Sequence, residues 1–239
     1  MTVEQKNGAW ILGYGSLIYK PPPHYQYRIP AVIHGYIRRF WQSSIDHRGT
    51  PDYPGRVVTL VPYDEIISTP AYLNDVKYYN NSTSSDLLKL SDCSTLGVVY
   101  YISPEFVDKV KTYLDVREQN GYTLHKVKVH LEPNASQHNI DDLNHLLDEL
   151  PSDTLTGKKI LETSVYIGTS DNEAFVGAEN IKDTAKVIAT SIGPSGLNYE
   201  YLKLLHDSLL IIQENRSDDA ISDNYLVELL KNVNSIKDS

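Results

Sequence analysis

An α+β fold is predicted for this 239-residue chain by three observations. Apolar, β-forming residues recur in six short runs: Trp10 to Leu12, Ala31 to Trp41, Arg56 to Val61, Leu96 to Ile102, Tyr122 to Leu131 and Leu161 to Ile167. Segments with helical spacing are interspersed among them, mostly in the second half. The two kinds of element do not alternate strictly, so a wound parallel sheet is not expected. Hydrophobic residues make up 41% and charged residues 22%, which leaves room for a full core.

The strand assignment is clearest in the fifth run. There Val127, Val129 and Leu131 alternate with Lys126, Lys128 and His130, the period of a half-buried strand. The first helix is announced by Ser103-Pro104-Glu105, with serine as N-cap and proline at the first helical position. Phe106, Val107, Val110, Tyr113 and Leu114 are expected on one face of it, and Gly121 is expected to end it. A second helix runs from Ile140 to Leu150 and stops at Pro151. A third spans Ile181 to Ile192, and a fourth spans Asn198 to Ile212. A shorter one is expected after Ser222, burying Leu226, Leu229, Leu230 and Val233, with a frayed tail beyond. Residues 64–94, polar and turn-rich around Asn80 to Ser85, read as an insertion, and 133–157 as another. Residues 1–239 are otherwise expected to form a single domain.

Composition narrows the function. With 22 basic and 31 acidic residues the net charge is −9, which disfavours nucleic acid and anionic membranes as partners. An acidic substrate must therefore be met by a local cluster of cations. The single Cys93 cannot close an internal disulfide, and no Cys/His spacing resembles a zinc site, so no metal is expected. The first residues lack the apolar run of a signal peptide, and no stretch of about 20 apolar residues could span a bilayer. The cytoplasm is the expected compartment, and the sequons at Asn80, Asn81, Asn134 and Asn215 are read as chance.

Three segments carry chemistry. Leu12-Gly13-Tyr14-Gly15-Ser16-Leu17 follows a short apolar strand. Its glycines lack Cβ atoms, so a carboxylate or developing oxyanion could meet main-chain N–H groups there, with Gly15 at positive φ. A plain strand-ending turn is the alternative. It is not a dinucleotide fingerprint, because a third glycine and a following helix are missing. The second segment holds Arg38, Arg39, Arg48 and Arg56, which are either substrate cations or surface ion pairs. The third is Tyr113 to Tyr122, with Glu118 near a helix C-terminus. If Glu118 is buried there, desolvation and the negative helix end both raise its pKa, as suits a group that accepts and returns a proton. Otherwise it is a solvated helix-end carboxylate.

These three segments and Gly193-Pro194-Ser195-Gly196-Leu197-Asn198-Tyr199-Glu200-Tyr201-Leu202 resemble the ChaC-like γ-glutamylcyclotransferases, especially the fungal members. The resemblance runs from about Trp10 to Leu202. It implies the γ-glutamylcyclotransferase-like fold, a small mixed β-barrel with flanking helices. It also implies cleavage of glutathione to 5-oxoproline and Cys-Gly, with no cofactor. The family's glycine-loop motif falls on Tyr14-Gly15-Ser16-Leu17 and its catalytic glutamate on Glu118. Its usual Gly-Gly-Tyr reads Asn120-Gly121-Tyr122 here. Substrate contacts are thus expected from Leu12, Gly13, Tyr14, Gly15, Ser16 and Leu17. Tyr201 either packs in the core or offers its hydroxyl to the substrate α-carboxylate or to Glu118. The arginines between Arg38 and Arg56 are candidates for the glycyl carboxylate.

Other chemistries fit less well. Ser16 lacks the flanking pattern of a nucleophile elbow, Cys93 sits in the polar insertion, and the eight histidines form no HxxxH pair. Two alternatives stay open: a cyclotransferase acting on other γ-glutamyl compounds, and a silent γ-glutamyl-peptide sensor.

Overall fold

The computed structural model describes residues 8–80, 87–133, 137, 141–214, 221 and 223–238. The α+β expectation holds. Strands β1 (Ala9–Gly13), β2 (Tyr25–His34), β5 (Ser94–Ile102), β6 (Tyr122–Leu131) and β7 (Ile160–Gly168) close into a barrel in the order β1-β5-β2-β6-β7. Neighbours are antiparallel, except that β1 meets β7 in parallel at Ile11 and Ser164 to close it. β5 lies between β1 and β2 and is buried from Thr95 to Ile102. That is why it reads as one apolar run rather than an alternating one. β6 does alternate, with Val127, Val129 and Leu131 turned to the core.

The second apolar run is not one strand. Gly35, at φ +78°, ends β2 and starts β3 (Tyr36–Ser44) in a different sheet. Only a residue without a Cβ reaches that φ readily. β3 pairs with β4 (Gly55–Pro62) in a separate antiparallel ribbon.

Helices differ from the sequence reading mainly at their ends. The polar 64–94 segment contains two of them, α1 (Tyr63–Ser68) and α2 (Pro70–Tyr79). Ile66 and Val76 from these helices pack with Ile37, Trp41, Val61, Leu88 and Cys93 in a small second core. Cys93 is therefore a packing residue, and burial pushes its thiol up to about 11. α3 (Val107–Arg117) begins after a 3-10 turn, Pro104–Phe106, and stops four residues before Gly121. Ser103 makes no side-chain cap there; its hydroxyl donates to Gln26 Oε1 at 3.0 Å. α4 is Asp141–Asp148, α5 Ile181–Thr190, α6 Asn198–Glu214 and α7 Asn224–Lys237. Ile192 belongs to a short hairpin, β8 (Ile192–Gly193) with β9 (Gly196–Leu197), and is not the end of α5. Helix continues past Val233 to Lys237, where fraying was expected. Asn81 to Ser85, the sequons at Asn81, Asn134 and Asn215, Ile140 and Ser222 lie outside the described residues.

α5, α6 and α7 pack on one another and against the barrel. Leu202, Leu205, Ile188, Leu229 and Val233 join Val98, Val99, Tyr100 and Val129 in the main core. One buried side chain ties these layers together. The Arg38 guanidinium donates to Tyr14 O and Leu96 O, each at 2.9 Å, and to Asp223 Oδ2 at 2.8 Å. Asp223 also caps α7 by accepting from Leu226 N at 3.1 Å. Removing the cation leaves a carboxylate and two carbonyls without their donor, which costs about 3–5 kcal/mol. Arg38→Met is expected to lower Tm by roughly 6–20 °C, measured by thermal melt; a shift below 2 °C would show the hub to be dispensable.

Candidate active site

Glu118 stands at the C-cap of α3, at φ −99° and ψ 46°, its N–H donating to Leu114 O at 2.7 Å. The chain must then reverse into β6 within three residues. It does so through two consecutive left-handed residues, Asn120 at φ +63° and Gly121 at φ +86°. Asparagine is among the few side chains that tolerate this region, so Asn120 is compatible with a turn where glycine is usual. Its amide also donates to Ser43 O at 3.2 Å, while its carbonyl accepts from Gln42 Nε2 at 3.2 Å. A Cβ on Gly121 would collide with Asn172, whose amide donates to Gly121 O at 2.6 Å.

The Glu118 side chain is 16% exposed, and its Oε1 has no hydrogen-bond partner. Arg117 Nε lies 3.3 Å from that oxygen, close enough to attract it but too poorly aligned to bond. Burial raises the carboxyl pKa; Arg117 and His47 pull it back and Asp46 pushes it up. A buried acceptor left unpaired is costly, and in native proteins it marks a place where a ligand or water belongs.

The four motifs meet here. His47 Nε2 lies 3.0 Å from Arg117 O and its Nδ1 lies 3.1 Å from Ser195 Oγ. A carbonyl can only accept, so Nε2 carries a proton, while Nδ1 shares a hydrogen bond with the Ser195 hydroxyl. Ser195 N in turn donates to His47 O at 2.9 Å. The fourth motif thus clamps the second, and the second holds the peptide next to Glu118. Asn198 clamps β4 from the other side, accepting from Arg56 N and donating to Arg56 O, both at 2.7 Å.

The glycine loop leaves β1 and enters a 3-10 turn, Ser16–Ile18. Its polar groups are braced on several sides. Tyr14 OH donates to Tyr166 O at 2.8 Å, Tyr100 OH to Leu17 O at 2.7 Å, and Arg117 to Ser16 Oγ at 2.8 Å. Gly15 sits at φ −126°, so the expected positive φ is wrong. Glycine is needed there for space: a Cβ would stand 2.7 Å from Val58 Cγ2 and 2.9 Å from Tyr201 Oη. Gly13 is similar, since its Cβ would stand 2.7 Å from Leu17 Cβ.

A cleft of about 600 Å³ opens over Glu118. Behind it a chamber of about 30 Å³ is lined by Leu12, Tyr14, Gly15, Ser16, Leu17 and Tyr201, among others. Ser16, Glu118, Tyr122 and Tyr201 border both spaces. Having no side chain, Gly15 presents only its backbone to the chamber. A space of this size holds one or two small polar atoms rather than a substrate body.

Leu12, Tyr14, Gly15, Ser16, Leu17, Glu118 and Tyr201 thus surround one point, whereas Gly13 does not line either space. Tyr201 packs in the core with its hydroxyl at the edge of the chamber. Its ring is 6% exposed and meets Phe40 and Tyr19 edge-on, while its hydroxyl accepts from Val58 N at 3.4 Å beside the chamber. The arginines divide differently. Arg38, Arg39 and Arg56 are paired with Asp223, Asp75 and Glu179, and only Arg48 reaches the cleft. Arg48 itself donates to Leu197 O at 2.8 Å and pairs with Glu200 at 3.3 Å.

Sequence reasoning missed three residues here: Arg117, His47 and Tyr122. Arg117 precedes the glutamate directly, and His47 lies within the second motif, so both could have been weighed from their positions. Tyr122, whose hydroxyl donates to Val58 O at 2.7 Å, had no such signal.

Among the described residues no group of three or more His, Cys, Asp or Glu could hold a metal ion, and no helix is long and apolar enough to cross a membrane. A buried carboxylate whose Oε1 accepts no hydrogen bond, set where a cleft meets a smaller space, is the kind of site at which acid–base enzymes work. The ChaC-like protein family model matches residues 9–236, and this chain belongs to that family. A glutathione-specific gamma-glutamylcyclotransferase of Saccharomyces cerevisiae is 56% identical over 231 residues, covering 97% of this chain and 98% of its own. One from Schizosaccharomyces pombe is 38% identical, over 84% of this chain and 82% of its own. A crystal structure of the glutathione-specific yeast cyclotransferase superposes with a TM-score of 0.87 at 55% identity, covering 96% of each chain.

Gly15→Ala is expected to destabilise the protein by about 1–3 kcal/mol through overpacking. Because one colliding atom is the Tyr201 hydroxyl, Tyr201→Phe should restore part of that loss. Denaturant unfolding of the two single variants and the double variant checks this; strict additivity would refute the contact.

Proposed function

We propose that this chain cleaves glutathione to 5-oxoproline and Cys-Gly, with Glu118 as the catalytic acid/base. The observation that carries this reading is the buried Glu118 carboxylate, whose Oε1 accepts no hydrogen bond, where the cleft meets the chamber. The names of the close relatives point to the same reaction.

The chemistry needs little more than this geometry. The substrate α-amine attacks its own γ-carbonyl carbon, so the enzyme's main task is to hold a near-attack conformation. Glu118 takes a proton from the α-ammonium, which frees the lone pair. The new N–C bond closes a five-membered ring and leaves a tetrahedral oxyanion. That oxygen is small enough for the chamber beside the Gly15 backbone, where main-chain donors can stabilise it. The C–N bond to cysteine then breaks as Glu118 returns its proton to the departing nitrogen, and the second proton shed by the ring nitrogen completes the Cys-Gly ammonium. Water is not consumed, and no metal or cofactor is assigned a step. Leu12, Tyr14, Gly15, Ser16, Leu17 and Tyr201 shape the reacting end, and Gly13 supports the loop through its packing on Leu17. The chain is taken to act as one domain carrying insertions near 64–94 and 133–157. Its net charge of −9 disfavours nucleic acid as a partner, and a lone buried cysteine suits the reducing cytoplasm.

The acid/base role of Glu118 and its raised pKa set the expected outcomes. The base must be ionised to accept a proton, so kcat/KM should fall with decreasing pH, with its midpoint above the ordinary carboxylate value. Glu118→Gln should lower kcat by about 10²-fold or more while glutathione binding survives; near-normal kcat in a folded variant would overturn the assignment. Stability carries the opposite sign. A carboxyl whose folded pKa is raised binds more protons folded than unfolded between its two pKa values, so stability falls as pH rises through that window. Glu118→Gln removes this penalty and should raise Tm at pH 7, with the gain vanishing below the unfolded pKa. A melt series across pH measures it.

A further inference from the structure

The cleft is positively charged in a protein that is not. Its lining includes four cationic side chains, Lys20, Arg48, Lys109 and Arg117, against two carboxylates, Asp46 and Glu118, whereas the chain carries a net −9. Two of these cations already have partners. Arg48 is engaged by Leu197 O and Glu200, and Arg117 by Lys20 O, Ser16 Oγ and Glu118. Among the described residues neither the Lys20 nor the Lys109 ammonium has an ion-pair or hydrogen-bond partner. Unlike Arg38, Arg39 and Arg56, neither lysine helps to hold the fold together.

α3 sets where one of them stands. Lys109, Thr112, Tyr113 and Val116 follow the spacing i, i+3, i+4, i+7, and all four line the cleft. The opposite stripe, Val110 and Leu114, is buried in the core. Tyr113 therefore belongs to the cleft stripe and not to the core face that the sequence suggested. Val116 is 65% exposed and Tyr113 36%, leaving apolar surface beside the catalytic end of the helix and a cation at its far end. Lys20 stands beside the Arg117 side chain, because its carbonyl accepts from that guanidinium at 2.9 Å, and its own side chain lines the cleft.

This layout matches the part of the substrate that does not react. About 12 Å of helix separates Lys109 from Arg117. An extended two-residue segment such as Cys-Gly covers about 7 Å, and the flexible lysine stem can close the remainder. We propose that Lys109 and Lys20 bind the glycyl carboxylate of glutathione, with Tyr113 and Val116 seating the cysteinyl residue, so that this stripe selects the tripeptide. The inference rests on the reading of the chain as a γ-glutamylcyclotransferase and takes the place of the arginine assignment drawn from the sequence.

The test compares glutathione with glutathione amidated at its glycine, for wild type, Lys20→Met, Lys109→Met and the double variant. Release of 5-oxoproline by the wild type comes first; its absence would defeat the functional reading itself. Each single variant should raise KM for glutathione about 3- to 10-fold, the scale of a partly exposed charge-assisted contact, with little change in kcat. The wild-type preference for free acid over amide should collapse in the double variant, and raising ionic strength should erode the same preference in the wild type. Variants that keep the wild-type preference, or that lose activity equally on both substrates, overturn the proposal. Melting curves matching wild type confirm that the exposed lysines act on binding and not on folding.

Discussion

The constraint that organises this molecule is the placement of one carboxylate, Glu118, out of water at the negative end of a helix. Neither desolvation nor the helix dipole favours a charge there. The surroundings compensate without neutralising it: Arg117 sits alongside but out of line, and His47 attracts it from beyond the Arg117 carbonyl. A bonded partner would lower the pKa and occupy the oxygen that the proposed reaction uses as a proton acceptor. Attraction without a hydrogen bond leaves it poised and unoccupied.

Holding it so demands rigidity from every element nearby. The turn after Glu118 is pinned by Asn120 to β3 and by Asn172 to Gly121. The glycine loop is pinned to β7 through Tyr14, to β5 through Tyr100 and to α3 through Arg117. The β3–β4 ribbon is pinned to the start of α6 by Asn198. These bonds come from four parts of the chain far apart in sequence, so the site exists only once the barrel and its covering helices have closed. Mutual positioning of this kind is what intramolecular ring closure requires, since its rate depends on conformation more than on strong reagents.

The arginines paired with carboxylates outside the cleft serve the same end by another route. Arg38, Arg39 and Arg56 each bond a carboxylate, and Arg38 binds carbonyls of the loop and barrel as well. The planar fork of guanidinium suits such multiple contacts better than an ammonium does. Arginine thus builds the frame, while the unpaired lysines leave positive potential in the cleft.

Much was determined by the sequence alone. The period of β6, the continuous apolar run of β5 and the helical spacing of α6 express local rules, and they lead to the α+β class without any knowledge of neighbours. The segments around Tyr14, His47, Glu118 and Ser195 were legible as chemistry because their residue types and order are distinctive. Other features depended on tertiary structure. Gly35 divides a run that composition presents as one strand, since the change of sheet depends on a single backbone angle. Gly15 is required by Val58 and Tyr201, which lie more than forty residues away in sequence, and not by its own φ. The polar 64–94 segment folds helices because Ile66 and Val76 find Trp41 across the ribbon. Whether an arginine binds substrate or a buried aspartate is likewise decided by what the fold brings within about 3 Å of it, and sequence spacing carries no record of that distance.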